Sequence, residues 1–249
     1  MTISPATEVL VGTGKEAEVF EWGALVLKLY RRPERKLAAF HEAAVLALVE
    51  SLGLPAPRVG GVEQVDGRWG IAMTRVDGPA FGEAMPGEPG RIAGYLAAMA
   101  ALHARLHRHP GAGLGGMKAR LAQNIGRAGG LGDARRRNLL DGLATLPEGD
   151  RLCHGDFHPW NILGAIGEET IVDWLDACRG VPAADVCRSF VLMRPHVPDL
   201  ASDYVDAYAN HAGVTRADVL IWLPFVAAGR LAEGVADETD ALMEMIESG

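Results

Sequence analysis

At 249 residues, with 49% hydrophobic and 22% charged side chains, the chain has ordinary globular composition and enough length for one large domain or two lobes. That composition excludes disorder, collagen and coiled coil, and a net charge of −8 argues against a DNA or RNA binder, whose affinity comes from Lys and Arg neutralising phosphates. The charge is uneven: residues 151–249 carry 16 acidic and 6 basic side chains, against 10 and 9 in residues 1–78 and 6 and 9 in residues 79–150.

Residues 8–30 read as strands, EVLVG, VFEW and ALVLKLY, separated by glycine-containing turns. In the last of them Leu25, Leu27 and Leu29 share one face, and Val26, Lys28 and Tyr30 the other. Pro33 opens a helix that runs through ERKLAAFHEAAVLALVESL and stops at Gly53. Glu42 falls on its apolar face with Ala38, Val45, Leu46 and Val49, where a carboxylate needs a partner. RWGIAMTRVDG is one more strand, ending in a turn at Asp77-Gly78, and 78–90 is a linker. From Arg91 the helical period dominates: IAGYLAAMAALHARLH first, then weaker helices around 117–125 and 133–145. Short strands in RLCHGDFHPWNIL and TIVDWLDA flank turns, and helices near 183–194, 199–212, 216–235 and 237–247 complete the chain. His103 and His107 read as helix packing, and Arg135, Arg136 and Arg137 as a solvated helix face.

Three cysteines without CxxC spacing, Cys153, Cys178 and Cys187, suggest neither a disulfide framework nor a zinc knuckle, and Cys178 and Cys187 read as packed thiols. The start MTISPATEVLV has no basic segment before an apolar core, and the longest apolar run, Val219–Gly229, is shorter than the roughly 18 to 20 residues of a bilayer span. The expectation is a cytoplasmic protein that touches neither membrane nor nucleic acid.

The most informative segment is His154-Gly155-Asp156-Phe157-His158-Pro159-Trp160-Asn161, followed by Ile171-Val172-Asp173-Trp174. Phosphoryl transfer needs one carboxylate beside the acceptor hydroxyl and separate oxygen ligands for the magnesium ions that bridge the phosphates. Asp156 and Asn161, five apart on one loop, can divide these tasks, with Asp173 as the charged ligand. This segment resembles the catalytic loop and metal-binding aspartate of the aminoglycoside phosphotransferase and choline-kinase-like families. The resemblance implies an α+β, protein-kinase-like, two-lobed fold: a small antiparallel-sheet lobe with one helix (1–78), then a mainly helical lobe (79–249). It implies that Asp156 accepts the hydroxyl proton, that Asn161 and Asp173 hold Mg2+, and that His154, His158 and Asp185 support the loop, Asp185 lying in a G-x-P-x-x-D stretch at Gly180-Val181-Pro182.

Upstream, Gly12-Thr13-Gly14-Lys15-Glu16-Ala17-Glu18-Val19 resembles the kinase Gly-rich loop, with Ala17 in place of the third glycine, and the backbone N–H groups of 13–15 would face the phosphates. Lys28 matches the phosphate-gripping lysine, Glu42 its helix partner, and Met73, Thr74 and Arg75 the hinge that contacts adenine. Only eight residues separate Asp173 from Pro182, too few for a peptide-docking activation segment. The acceptor expected is therefore a small hydroxylated molecule, with ATP or GTP as donor.

The acids at Asp199, Asp203, Asp206, Glu233, Asp237, Glu238 and Asp240 suit an aminoglycoside or another amine, with Asp176, Asp203, Tyr204, Glu233 and Asp237 as acceptor contacts. Tyr204, Tyr208, Trp222 and Trp174 offer an alternative aromatic box for a quaternary amine. Other readings stay open: a polar turn that merely collects Asp, Asn and His; a metal hydrolase using His154, Asp156 and His158; and a catalytically silent nucleotide-binding module of the same fold. The oligomeric state is not legible in the sequence.

Overall fold

The computed structural model describes residues 9–248, so Glu8, counted above with the first strand, lies outside the described residues. These residues divide into two compact units, 9–80 with Ile162–Leu175, and 81–161 with 176–248.

The first unit is a five-stranded antiparallel sheet carrying one long helix. Strands β1 (Leu10–Thr13), β2 (Ala17–Trp22) and β3 (Leu25–Tyr30) are followed by helix α1 (Lys36–Ser51) and strands β4 (Val59–Val65) and β5 (Arg68–Met73), in the spatial order β1-β2-β3-β5-β4. Central β3 is buried on both faces. Leu27 and Leu29 pack with Val65 and Ala72, while Tyr30 packs with Ala17, Ile71 and the α1 residues Ala39 and Ala43. The expected alternation of β3 thus holds, and the Lys28 side is the one that meets α1. Strand β4 was not expected, because Gly60 and Gly61 hide its pattern. A Cβ at Gly60 would crowd only the Leu25 Cδ1 methyl, the end of a flexible side chain that can turn aside. Asp66 and Gly67, both at positive φ, close the β4–β5 hairpin.

The second unit opens with a short helix α2 (Phe81–Ala84) and then the long α3 (Ile92–His107), α4 (Met117–Arg127) and α5 (Asp133–Thr145), before strand β6 (Arg151–Cys153). The chain next returns to the first unit. The small hairpin β7 (Ile162–Leu163) and β8 (Thr170–Ile171) is held there by Gly164 N–H on Pro79 O at 3.1 Å and Ile171 N–H on Pro55 O at 2.9 Å. This segment, placed by sequence with the helical lobe, therefore packs with the sheet. Strand β9 (Cys178–Gly180) pairs with β6, and helices α6 (Pro182–Met193), α7 (Pro198–Ala212), α8 (Arg216–Leu220), α9 (Leu223–Leu231) and α10 (Thr239–Ser248) follow.

The single helix expected over 216–235 is broken into α8 and α9, because Pro224 lacks an N–H and its ring clashes with the carbonyl four residues earlier. Arg136, read as solvated, instead donates to the carbonyls of Ile125, Ala128 and Leu131, closing the C-terminal end of α4. Among the described residues no single helix is long and apolar enough to cross a membrane. All three cysteines are buried free thiols.

Candidate active site

In the first unit, the alternation of β3 delivers Lys28 to the one acid on the buried face of α1. Its Nζ lies 2.7 and 2.9 Å from the Glu42 carboxylate oxygens and 2.8 Å from Asp173 Oδ1. Glu42 is 1% exposed and also accepts from Tyr30 Oη at 2.5 Å and from the Trp174 backbone N–H at 3.1 Å. Burial opposes the charged Lys28 amine, but the two carboxylates outweigh it and raise its pKa above the ordinary value. Lys28 is therefore a fixed cation. Asp173 sits at φ 61°, a left-handed conformation that side chains other than Gly rarely adopt and that collects at functional sites.

The β1–β2 hairpin carries Gly12, Thr13 and Gly14. The Gly14 N–H, expected to face phosphate, is donated to Ala17 O at 2.9 Å, and Arg31 ties the turn through Gly14 O and Thr13 Oγ1. Ala17 replaces the third glycine because its methyl is part of the core. Met73 ends β5, Thr74 exchanges hydrogen bonds with Arg58, and Arg75 pairs with Glu21 and Asp77.

In the second unit, the loop from His154 to Asn161 hangs from one carboxylate. Asp185, fully buried on α6, accepts from the backbone N–H groups of His154 (2.7 Å) and Gly155 (2.9 Å). It also receives the Nε2 atoms of His103 (2.9 Å) and His107 (3.2 Å), whose Nδ1 atoms meet the hydroxyls of Tyr204 (2.6 Å) and Tyr208 (2.8 Å). Because Asp185 only accepts, both imidazoles are assigned with Nε2–H donating to it, and for His103 the tautomer is the neutral one, with Tyr204 donating to Nδ1. Burial pushes the His103 pKa down to about 3, in agreement. These three side chains bring three ligand atoms within 4.8 Å of one another, yet every ring nitrogen and both carboxylate oxygens already have partners, so the cluster is a brace. The spacing of four residues on α3 matches the spacing of four on α7. That repeat was visible in the sequence and was missed.

Gly155 follows from this suspension. It sits at φ 78°, and a Cβ there would collide with the Asp176 carbonyl. Its own carbonyl accepts from Arg188 Nε at 3.0 Å, and Arg188 is fixed in turn by Glu233 at 2.7 Å. Gly155→Ala is expected to lower stability by at least about 1–3 kcal/mol from backbone strain alone, and to lower turnover more than nucleotide affinity. Thermal melting and steady-state kinetics together check this.

Asp156 faces Asn161, whose Nδ2 donates to the Asp156 carbonyl (2.9 Å) and carboxylate Oδ2 (3.0 Å), leaving Asn161 Oδ1 for another partner. Burial alone would favour neutral Asp156, but its bond to His158 and the charges of His158, Arg188 and His154 hold its pKa well below the usual carboxylate range. The set His154, Asp156 and His158 does not converge as a metal site: among the described residues only His103, His107 and Asp185 bring three such ligand atoms together. His154 Nδ1 instead accepts the Asp156 N–H at 3.2 Å.

Of the acceptor contacts expected from sequence, Asp176 and Glu233 come together with Asp156 around Arg188. Tyr204 is fully buried on His103; Asp176 pairs with Arg120, its pKa raised by burial; Asp203 and Asp237 are exposed. Glu233 lies between Arg188 and Arg230. The aromatic box does not form, because Tyr204, Tyr208, Trp222 and Trp174 are all buried, with the Trp174 indole N–H on Ile171 O.

Comparison with known proteins agrees with this layout. Residues 7–220 match the family model APH, described as the phosphotransferase enzyme family. Among solved structures, a thermostable mutant of aminoglycoside phosphotransferase APH(4)-Ia in ternary complex with ADP and hygromycin B is 15% identical, with a TM-score of 0.71 over 98% of this chain and 92% of that one. Amicoumacin kinase hAmiN, in complex with AMP-PNP, Ca2+ and Ami, is 15% identical (TM-score 0.67; 98% and 88% covered). Aminoglycoside phosphotransferase APH(3'')-Id from Streptomyces rimosus is 18% identical (TM-score 0.63; 90% and 93% covered). No curated protein sequence matches. At these identities the structural likeness is one of fold, the protein-kinase-like fold expected from the motifs. The family match spans most of the chain, and the chain belongs to the phosphotransferase enzyme family.

Proposed function

We propose that this phosphotransferase moves the γ-phosphate of ATP to a hydroxyl of a small molecule. The observation that carries this reading is the Lys28 amine clamped between Glu42 and Asp173, a fixed cation suited to nucleotide phosphates. Asp156 orients the acceptor hydroxyl and takes its proton as the oxygen bonds to phosphorus; ADP leaves as the β–γ bond breaks. Asn161 Oδ1 and the Asp173 carboxylate are hard oxygen donors, the set that Mg2+ prefers. Mg2+ held by such donors would neutralise phosphate charge. An amine-bearing, antibiotic-like acceptor is the first class to test, since the neighbouring structures hold hygromycin B and Ami.

The test is a screen of purified protein with Mg2+ and ATP against aminoglycosides, choline-like amines, sugars and amino alcohols, reading ADP release and product mass. At least one acceptor is phosphorylated, and Lys28→Met raises the KM for ATP at least about tenfold by removing the buried cation. Intact ATP binding with no turnover across the panel would establish the silent nucleotide-binding module instead.

A further inference from the structure

Helix α6 holds the loop from His154 to Asn161 by backbone groups of both polarities. Asp185 accepts the N–H groups of His154 and Gly155, and Arg188 Nε donates to the Gly155 carbonyl at 3.0 Å. The two side chains stand three residues apart, so they leave the same face of the helix. The carbonyl that Arg188 holds belongs to the peptide joining Gly155 to Asp156. Because that peptide is planar, fixing its oxygen fixes the plane from which the Asp156 side chain departs.

Arg188 depends in turn on a counter-charge. Its side chain is 11% exposed, and a guanidinium taken out of water is costly unless an anion is fixed beside it. Glu233 supplies that anion at 2.7 Å from Nη1, from the turn between α9 and α10 where Gly234 takes φ 70°. The other Glu233 oxygen meets Arg230 Nη1 at 2.5 Å, so a different arginine faces each oxygen and the carboxylate plane is set. Arg230 is anchored by both oxygens of the buried Glu238, at 2.7 Å each. Burial opposes the Glu233 charge, but the two arginines outweigh it and keep the carboxylate ionised. Cation and anion thus alternate from the Gly155 carbonyl to Glu238, along side chains to which the chemistry above gives no task.

We propose that Glu233 is a positioning residue for phosphoryl transfer: from the turn after α9 it holds Arg188, and through Arg188 the Gly155 carbonyl that aims Asp156. The proposal rests on the phosphotransferase reading above, in which Asp156 meets the acceptor hydroxyl. It requires a guanidinium at position 188, because one planar fork reaches a carbonyl and a carboxylate at fixed angles. A lysine there keeps the charge and loses that geometry.

Arg188→Lys, Glu233→Gln and the double variant test this, with Arg136→Met as a reference for stability lost elsewhere in the unit. Hydrogen exchange of the whole protein needs no acceptor: in each variant the amides of 154–157 exchange at least about tenfold faster, while those of α5 keep their wild-type rates. Kinetics use ADP release with the compound of the screening panel that wild type phosphorylates fastest. Each single variant lowers kcat at least about tenfold with the KM for ATP within about twofold. The double variant falls within about twofold of Arg188→Lys, since Glu233 acts only through Arg188. Arg136→Met lowers the melting temperature and keeps kcat. Glu233→Gln is isosteric with wild type and carries the test where Arg188→Lys does not fold. Unchanged exchange at 154–157, a raised KM for ATP at constant kcat, additive losses in the double variant, or an equal loss of kcat in Arg136→Met each overturn the proposal. Faster exchange of the loop in a protein that phosphorylates nothing in the panel would leave the hold of Glu233 on the loop standing and remove the kinase reading alone.

Discussion

Asp156→Asn is expected to lower kcat for phosphoryl transfer by about 10²–10⁴-fold, the range a positioned general base supplies, while the nucleotide dissociation constant stays within about twofold. The amide is isosteric with the carboxylate, and its oxygen still accepts from Asn161 Nδ2, so the loop keeps its shape. What disappears is the charge and the ability to hold the acceptor proton. Wild-type Asp156 stays ionised because its bond with His158 and the Arg188 charge overcome its burial, so it can serve as a base in the neutral range. Nucleotide binding is assigned to Lys28, which lies in the other unit and makes no use of Asp156. Single-turnover kinetics with calorimetric ADP titration separates the two quantities. Activity within tenfold of wild type would remove Asp156 from the role of base.

The legible part of this fold was what local periodicity encodes. The β3 alternation put Lys28 opposite the leucine face, the α1 stripe isolated one acid, and the two meet as the spacing required. Helix α3 appears with the bounds its pattern implies. The missing strand β4 has two glycines where apolar residues would mark alternation, although Asp66-Gly67 after it is a strong hairpin signal. The return of 162–175 to the sheet is a long-range event, governed by hydrogen bonds to Pro55 and Pro79 that no window of sequence contains. The acids of the last hundred residues were only partly legible for a related reason. Net charge records that Glu233 and Glu238 exist, not that Arg188 and Arg230 sit against them. Asp185 was legible as a support through its motif, but the number of groups hanging from it was not, since His103, His107, Tyr204 and Tyr208 come from helices distant in sequence.

Asp185→Ala should be the most destabilising single substitution in the helical unit. It leaves four buried donors without an acceptor: the N–H groups of His154 and Gly155 and the Nε2–H groups of His103 and His107. Removing one partner from such a buried set costs about 3–5 kcal/mol, a large share of the roughly 5–15 kcal/mol that holds a domain together. The same network makes the protein sensitive to acid. His103 faces His107, Asp185, His154 and Tyr204, and burial holds it neutral down to about pH 3, whereas in the unfolded chain it takes a proton near pH 6.5. Between those values the unfolded state binds one more proton, so stability is fully present above about pH 6.5 and falls by about 1.4 kcal/mol per pH unit below it. Asp185 acts in the same direction at lower pH: burial opposes its charge, the histidines outweigh burial, and its stabilisation is lost as pH falls below about 4. His103→Asn keeps an N–H donor for Asp185 but cannot titrate. Its melting temperature is expected to lie below wild type at pH 7.5, where the stacking of His103 on Phe157 is lost, and to converge on wild type as pH approaches 4.5. Melting curves that stay parallel from pH 7.5 to 4.5 would show that His103 is not the group that titrates on unfolding.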